Sequence, residues 1–324
     1  MLTAADYRGL YAIIPTPARP GAERIDATDT VDLDETARLV TQLLDDGVTA
    51  LIALGTTGEC PTLAPADYEA FVDCVLSTVA GRVPTFIGAT ALGGHEVVRR
   101  LRFVAERGAS GSLLGLPMWQ PLTTDMAVRY YAEISEAVPR LSIMAYANAR
   151  AFRYNFPAEF WAGVADRAPT VTSAKFSNPT QLREFQTASR GKVHFLPIDQ
   201  RVHEFHAVSP QTTTACWATA AAMGPEPSLA IIDAVCTGDA ARIAAMAAEI
   251  AWANEPIDPI LGNPEIFAHY NIQVEKLRME AAGYCRPGPL RPPYDVIPDV
   301  YGDAARECGR RWAKLCERLR DKRP

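Results

Sequence analysis

The chain has 324 residues, 48% of them apolar, a net charge of −6 and a pI near 5.5. That acidity argues against nucleic acid or an anionic membrane as the main partner, and no apolar run reaches the ~18 residues of a membrane span. Seven scattered cysteines without CxxC spacing, five histidines and an N-terminus with no signal-peptide pattern lead us to expect a soluble cytoplasmic protein without disulfides, metal or cofactor.

Short apolar runs alternate with amphipathic stretches along the first two thirds of the chain. Strands are predicted at 10–15, 49–54, 85–90, 111–116, 141–146, 170–175, 194–197 and 212–217. Helices are predicted between them at 34–46, 65–80, 95–107, 124–138, 157–167, 180–189 and 201–208. This rhythm predicts an α/β protein, a (β/α)8 TIM barrel over residues 1–225, in preference to a doubly wound sheet. Residues 226–324 read as a helical extension packed on the barrel, with helices at 228–253, 262–283 and 299–321. The segment Arg286-Pro287-Gly288-Pro289-Leu290-Arg291-Pro292-Pro293 separates the last two and is not expected to be helical.

Barrels of this kind carry their chemistry at the C-terminal ends of the strands, and three segments fall there. Leu54-Gly55-Thr56-Thr57-Gly58-Glu59 follows the second strand. Its glycines allow a tight turn whose amides and hydroxyls can converge on a carboxylate, although an ordinary glycine-rich loop reads the same way. No Gly-Lys-Ser/Thr follows, so it is not a Walker phosphate loop. Tyr146, at the end of the fifth strand and followed by Ala147 and Asn148, is either a proton relay or a ring packed in the barrel mouth.

Lys175 closes the sixth strand after the run Thr170-Val171-Thr172-Ser173-Ala174. The chain uses arginine for 27 of its 32 basic residues, so a lysine at a buried strand end is conspicuous. Unlike arginine, lysine can shed its proton and attack a carbonyl. The alternative is a core lysine paired with a carboxylate. At an ordinary pKa of about 10.4, only ~0.04% of such an amine is neutral at pH 7, so a catalytic role needs burial to depress it. An amine, a phenol and an anion-binding turn on one rim form a set suited to Schiff-base chemistry on a 2-keto acid.

These segments resemble the dihydrodipicolinate synthase / N-acetylneuraminate lyase superfamily of class I pyruvate aldolases. Ile13-Ile14-Pro15-Thr16-Pro17, Gly115-Leu116-Pro117-Met118-Trp119, Tyr146-Ala147-Asn148 and Tyr270-Asn271-Ile272 are similar to its trans-o-hydroxybenzylidenepyruvate hydratase-aldolase branch. The resemblance implies that Lys175 forms the Schiff base, Tyr146 shuttles protons, and Gly55, Thr56 and Thr57 bind the carboxylate. It also implies that Asn271 lies near the reactive carbon, although an asparagine at a helix start is also an ordinary N-cap; Asn148, at the end of the fifth strand, can orient a polar group. Trp119 and Trp217 are candidates to sandwich an aryl ring, or to pack at the rim or an interface. The implied ligands are a 2-keto acid and an aromatic aldehyde, and the implied assembly is a homotetramer.

The chain departs from the branch at Ile198, where a histidine implicated in hydration is usual. His203 and His206 lie nearby, on the following helix. This departure leaves a simple pyruvate aldolase without a hydration step as one alternative; a non-catalytic small-molecule-binding barrel is a separate one, against which Lys175, Tyr146 and the Gly55–Glu59 turn argue.

Overall fold

In a computed structural model, which describes residues 1–321, the predicted strand runs form eight parallel strands: β1 Gly9–Ile13, β2 Ala50–Ala53, β3 Thr85–Ile87, β4 Gly111–Leu114, β5 Ser142–Tyr146, β6 Val171–Lys175, β7 His194–Leu196 and β8 Ala215–Ala218. Almost every strand residue is buried. This explains why the runs are apolar or carry only small polar residues such as Thr172 and Ser173, without strict alternation: the barrel interior covers one face and the helices cover the other. Hydrogen-bonded order runs from β7 through β6, β5, β4, β3, β2 and β1 to β8. A parallel bridge between Ile198 and Trp217 joins the remaining pair and closes the barrel.

The outer helices begin where short polar side chains cap them. Asp32 accepts from the Glu35 amide at 2.9 Å ahead of helix Leu33–Asp45, and Thr123 caps helix Thr124–Ala137. Helix Glu226–Thr237 follows β8 and packs against β1, the place of the eighth barrel helix, so the helical ring runs past residue 225. The single helix expected over 228–253 is two. Gly238, at φ 70°, ends the first, and Asp239 caps the second, Ala240–Asn254.

Helices Pro264–Ala282 and Asp299–Arg320 complete the extension, and the proline-rich segment between them is non-helical. Trp312, fully buried, donates from its indole to the Gly224 carbonyl at 3.0 Å and joins the same apolar core as the barrel. Among the described residues no helix is long and apolar enough to cross a membrane.

Candidate active site

β5 ends at Tyr146 and β6 at Lys175, and the ladder between these strands sets the two residues directly opposite one another. Lys175 Nζ stands 4.7 Å from the centre of the Tyr146 ring and 3.4 Å from that of Trp217. Trp217 is fixed by its indole N–H, which donates to the Leu196 carbonyl at 3.0 Å. Burial pushes the Lys175 amine below the ordinary lysine value; the Tyr146 phenol and the Glu275 carboxylate pull it only part of the way back. For Tyr146, burial pushes the phenol up, but the charge of Lys175 and hydrogen bonds from Thr56 and Asn148 outweigh it. The phenol ends below its usual value.

The Tyr146 hydroxyl lies 2.9 Å from Thr56 Oγ1 and accepts from Asn148 Nδ2 at 3.3 Å. Asn148 does a second job, accepting the Ala151 amide at 3.2 Å to cap the short helix Ala149–Phe152. Phe152 holds the tyrosine ring edge-on at 5.4 Å. On the turn, Thr56 accepts the Glu59 amide at 2.9 Å, and Thr16 Oγ1 donates to the Gly58 carbonyl at 2.8 Å. Among the described residues, the Thr56 and Thr57 amides donate to no protein acceptor.

Gly55, Thr56, Thr57, Tyr146, Asn148, Lys175, Trp217 and Asn271 all line one cavity of about 770 Å³ at the C-terminal mouth of the barrel. Trp119 does not. Its side chain is 78% exposed on the rim, and its carbonyl and that of Met118 accept from Arg153. The expected sandwich with Trp217 is therefore not assembled within this chain, and the Trp217 ring instead faces the lysine.

Asn271 does not cap a free helix start. Asn263 is the N-cap of helix Pro264–Ala282, and Asn271 follows a kink at Tyr270 (φ −122°, ψ 16°), with its Oδ1 buried and, among the described residues, unpartnered. Ile198 lines the cavity; His203 and His206 do not.

Residues 22–155 match the dihydrodipicolinate synthetase family. Over 318 residues, 97% of this chain and 94% of the relative, the sequence is 38% identical to a trans-o-hydroxybenzylidenepyruvate hydratase-aldolase of Pseudomonas aeruginosa. The chain belongs to the dihydrodipicolinate synthetase family. Within that family it is also 38% identical, over 320 residues, to a trans-2'-carboxybenzalpyruvate hydratase-aldolase of Nocardioides, covering 97% of this chain and 95% of the relative. A solved structure of PhdJ bound to a substrate intermediate superposes with a TM-score of 0.94 at 35% identity, covering 98% of this chain and 99% of that one.

Of the other cavity residues of this family member, Glu275, Arg278 and Phe267 were not singled out from sequence. Asn271, Glu275 and Arg278 recur at i, i+4 and i+7 on helix Pro264–Ala282 and face the mouth together. Glu275 Oε2 accepts from Arg278 Nε at 3.0 Å, with both side chains buried, and Arg278 Nη1 reaches Asn254 Oδ1 at 3.4 Å. That spacing is present in the sequence; which helix covers the barrel mouth is not. Phe156, Ile198 and Phe267 add apolar wall. Arg150 also lines the cavity, its guanidinium 4.9 Å from the Phe267 ring.

Proposed function

We propose that this protein is a cytoplasmic, Schiff-base-forming hydratase-aldolase that cleaves an arylidene pyruvate to an aromatic aldehyde and pyruvate, or catalyses the reverse condensation. The observation that carries this reading is the half-buried Lys175 amine, held below the ordinary lysine value by desolvation, beside the Tyr146 phenol in one cavity. Support comes from the relatives, a trans-o-hydroxybenzylidenepyruvate hydratase-aldolase and a trans-2'-carboxybenzalpyruvate hydratase-aldolase.

Lys175 attacks the 2-keto carbon, and Tyr146 passes a proton to the carbinolamine oxygen so that it leaves as water. Gly55, Thr56 and Thr57 hold the carboxylate through the turn. The resulting iminium is conjugated to the alkene and draws electrons from it, so water adds at the carbon bearing the aryl group. Tyr146 then takes the new hydroxyl's proton. The C–C bond breaks to give the aldehyde and an enamine, which is protonated and hydrolysed to pyruvate. Phe156, Ile198 and Phe267 form an apolar wall suited to the aryl group, and Asn271 lies beside the reacting carbons. A homotetramer is part of the reading by family analogy.

Borohydride with pyruvate is expected to add one reduced pyruvate to a single peptide, the one containing Lys175. Labelling elsewhere, or none, overturns the assignment. Ile198 on the cavity wall favours a second reading, a pyruvate aldolase without hydration. Loss of the conjugated absorbance of an arylidene pyruvate, with matching aldehyde release, separates the two.

A further inference from the structure

Adding water to an alkene needs a base that takes a proton from the water as its oxygen attacks. Two of the basic groups in the cavity are already engaged at that step. Lys175 is bonded to the substrate, and the Tyr146 hydroxyl is held by Thr56 and Asn148 at the imine end. Among the described residues lining the cavity there is no histidine, and Glu275 is the one carboxylate.

Its geometry suits the task. Arg278 Nε holds Glu275 Oε2 at 3.0 Å, which orients the carboxylate, and among the described residues Oε1 makes no hydrogen bond to protein. One helical turn earlier, Asn271 lines the same cavity, and among the described residues its buried Oδ1 has no hydrogen-bond partner. At i, i+4 spacing the two oxygens sit on one face and can each accept a hydrogen from one water molecule. An orphaned buried acceptor is costly unless a ligand satisfies it. A carboxylate that served only as counter-ion to Arg278 would not explain it.

We propose that Glu275 is a further catalytic residue, the general base of the hydration step, acting on a water held between its carboxylate and Asn271 Oδ1; this rests on the hydratase-aldolase reading above. As the water oxygen bonds to the aryl-bearing carbon, its O–H bond breaks and Glu275 takes the proton. The alkene electrons move onto the carbon next to the imine carbon, and the iminium becomes an enamine. Glu275 then returns the proton to that neighbouring carbon, restoring the iminium and leaving a hydroxy adduct with no net proton change. Tyr146 carries out the cleavage that follows.

The experiment compares wild type with Glu275→Gln in three assays: borohydride trapping of pyruvate, turnover of benzylidenepyruvate, and cleavage of the corresponding racemic 4-aryl-4-hydroxy-2-oxobutanoate, which bypasses hydration. Because the Glu275 charge pulls the Lys175 amine up, each assay is run at its own optimum pH; the expected result for Glu275→Gln is then trapping and hydroxy-acid cleavage within a few-fold of wild type, with alkene turnover lowered ~10²–10⁴-fold in kcat. Trapping also reports that the variant is folded. Unchanged alkene turnover overturns the proposal, as does an equal loss in all three assays, which marks the Glu275–Arg278 pair as structural. A wild type that cleaves the hydroxy acid and leaves the alkene untouched overturns the hydratase reading itself.

Discussion

Arg291 Nη1 lies 2.5 Å from Glu59 Oε2, which ties the proline-rich segment of the extension to the turn that follows β2. The same guanidinium donates to the carbonyls of Thr16, Pro17 and Thr30 and to Thr30 Oγ1 at 2.8–3.2 Å, and both charged side chains are buried. Every donor group of the fork therefore has an acceptor. Arg291→Met is expected to cost about 3–5 kcal/mol, because it strands a buried carboxylate with Lys276 Nζ at 3.7 Å as its remaining ion-pair partner. Urea denaturation measures this. Glu59→Gln combined with Arg291→Met should recover part of the loss, and Arg291→Lys should recover little, since an ammonium cannot span the same acceptors. A loss under ~1 kcal/mol for Arg291→Met would show that the tie is incidental.

Lys276 adds a pH dependence to this cluster. Burial pushes its amine down to about 8, against the opposing pull of Glu59. The unfolded chain's lysine titrates near ~10.4, so between these values the unfolded state holds the extra proton. Stability therefore rises with pH across that window. The cost of charging Lys276 is fully present below about pH 8 and gone above ~10.4. Relative to Lys276→Met, wild type should gain on the order of 3 kcal/mol from pH 7 to pH 10.4. A flat difference would mean that the ammonium is stabilised where it lies.

Much of the site was legible because a barrel turns strand ends into neighbours. Tyr146 and Lys175 end consecutive strands, and the ladder then fixes them opposite one another. Trp119 was not legible in the same way. It lies in a loop whose path no strand register sets, and its ring turns outward. Glu275 and Arg278 share a helix face that periodicity describes, but the sequence does not say what that face covers. Arg291 reads as one residue of a proline-rich connector, and its buried role depends on contacts more than 200 residues away in sequence. The break at Gly238 has a signal in the sequence, a glycine stop followed by the capping Asp239, which the apolar, alanine-rich stretches on both sides mask.

The turn that carries Thr56 and Thr57 is also set from below, by Gly88. Its amide donates to the Ala53 carbonyl at 2.8 Å, and its carbonyl accepts the Tyr68 hydroxyl at 2.9 Å, so the backbone here cannot shift freely. A Cβ added at this position would lie 1.7 Å from the Leu54 carbonyl oxygen and 2.6 Å from its carbon. Both are backbone atoms, and Leu54 already holds a φ of 59°, so no rotamer change relieves the clash. Gly88→Ala should therefore displace Leu54 and, with it, the amides and hydroxyls offered to the substrate carboxylate. The expected result is a stability loss of roughly 1–3 kcal/mol or more, together with a rise in the pyruvate concentration needed for borohydride labelling of Lys175. Gly94→Ala is the control: a Cβ there meets nothing within 4 Å, and the site opens helix Gly94–Glu106, so stability should hold or improve by up to ~1 kcal/mol with labelling unchanged. If the two alanines behaved alike, Gly88 would have no special part in shaping the turn.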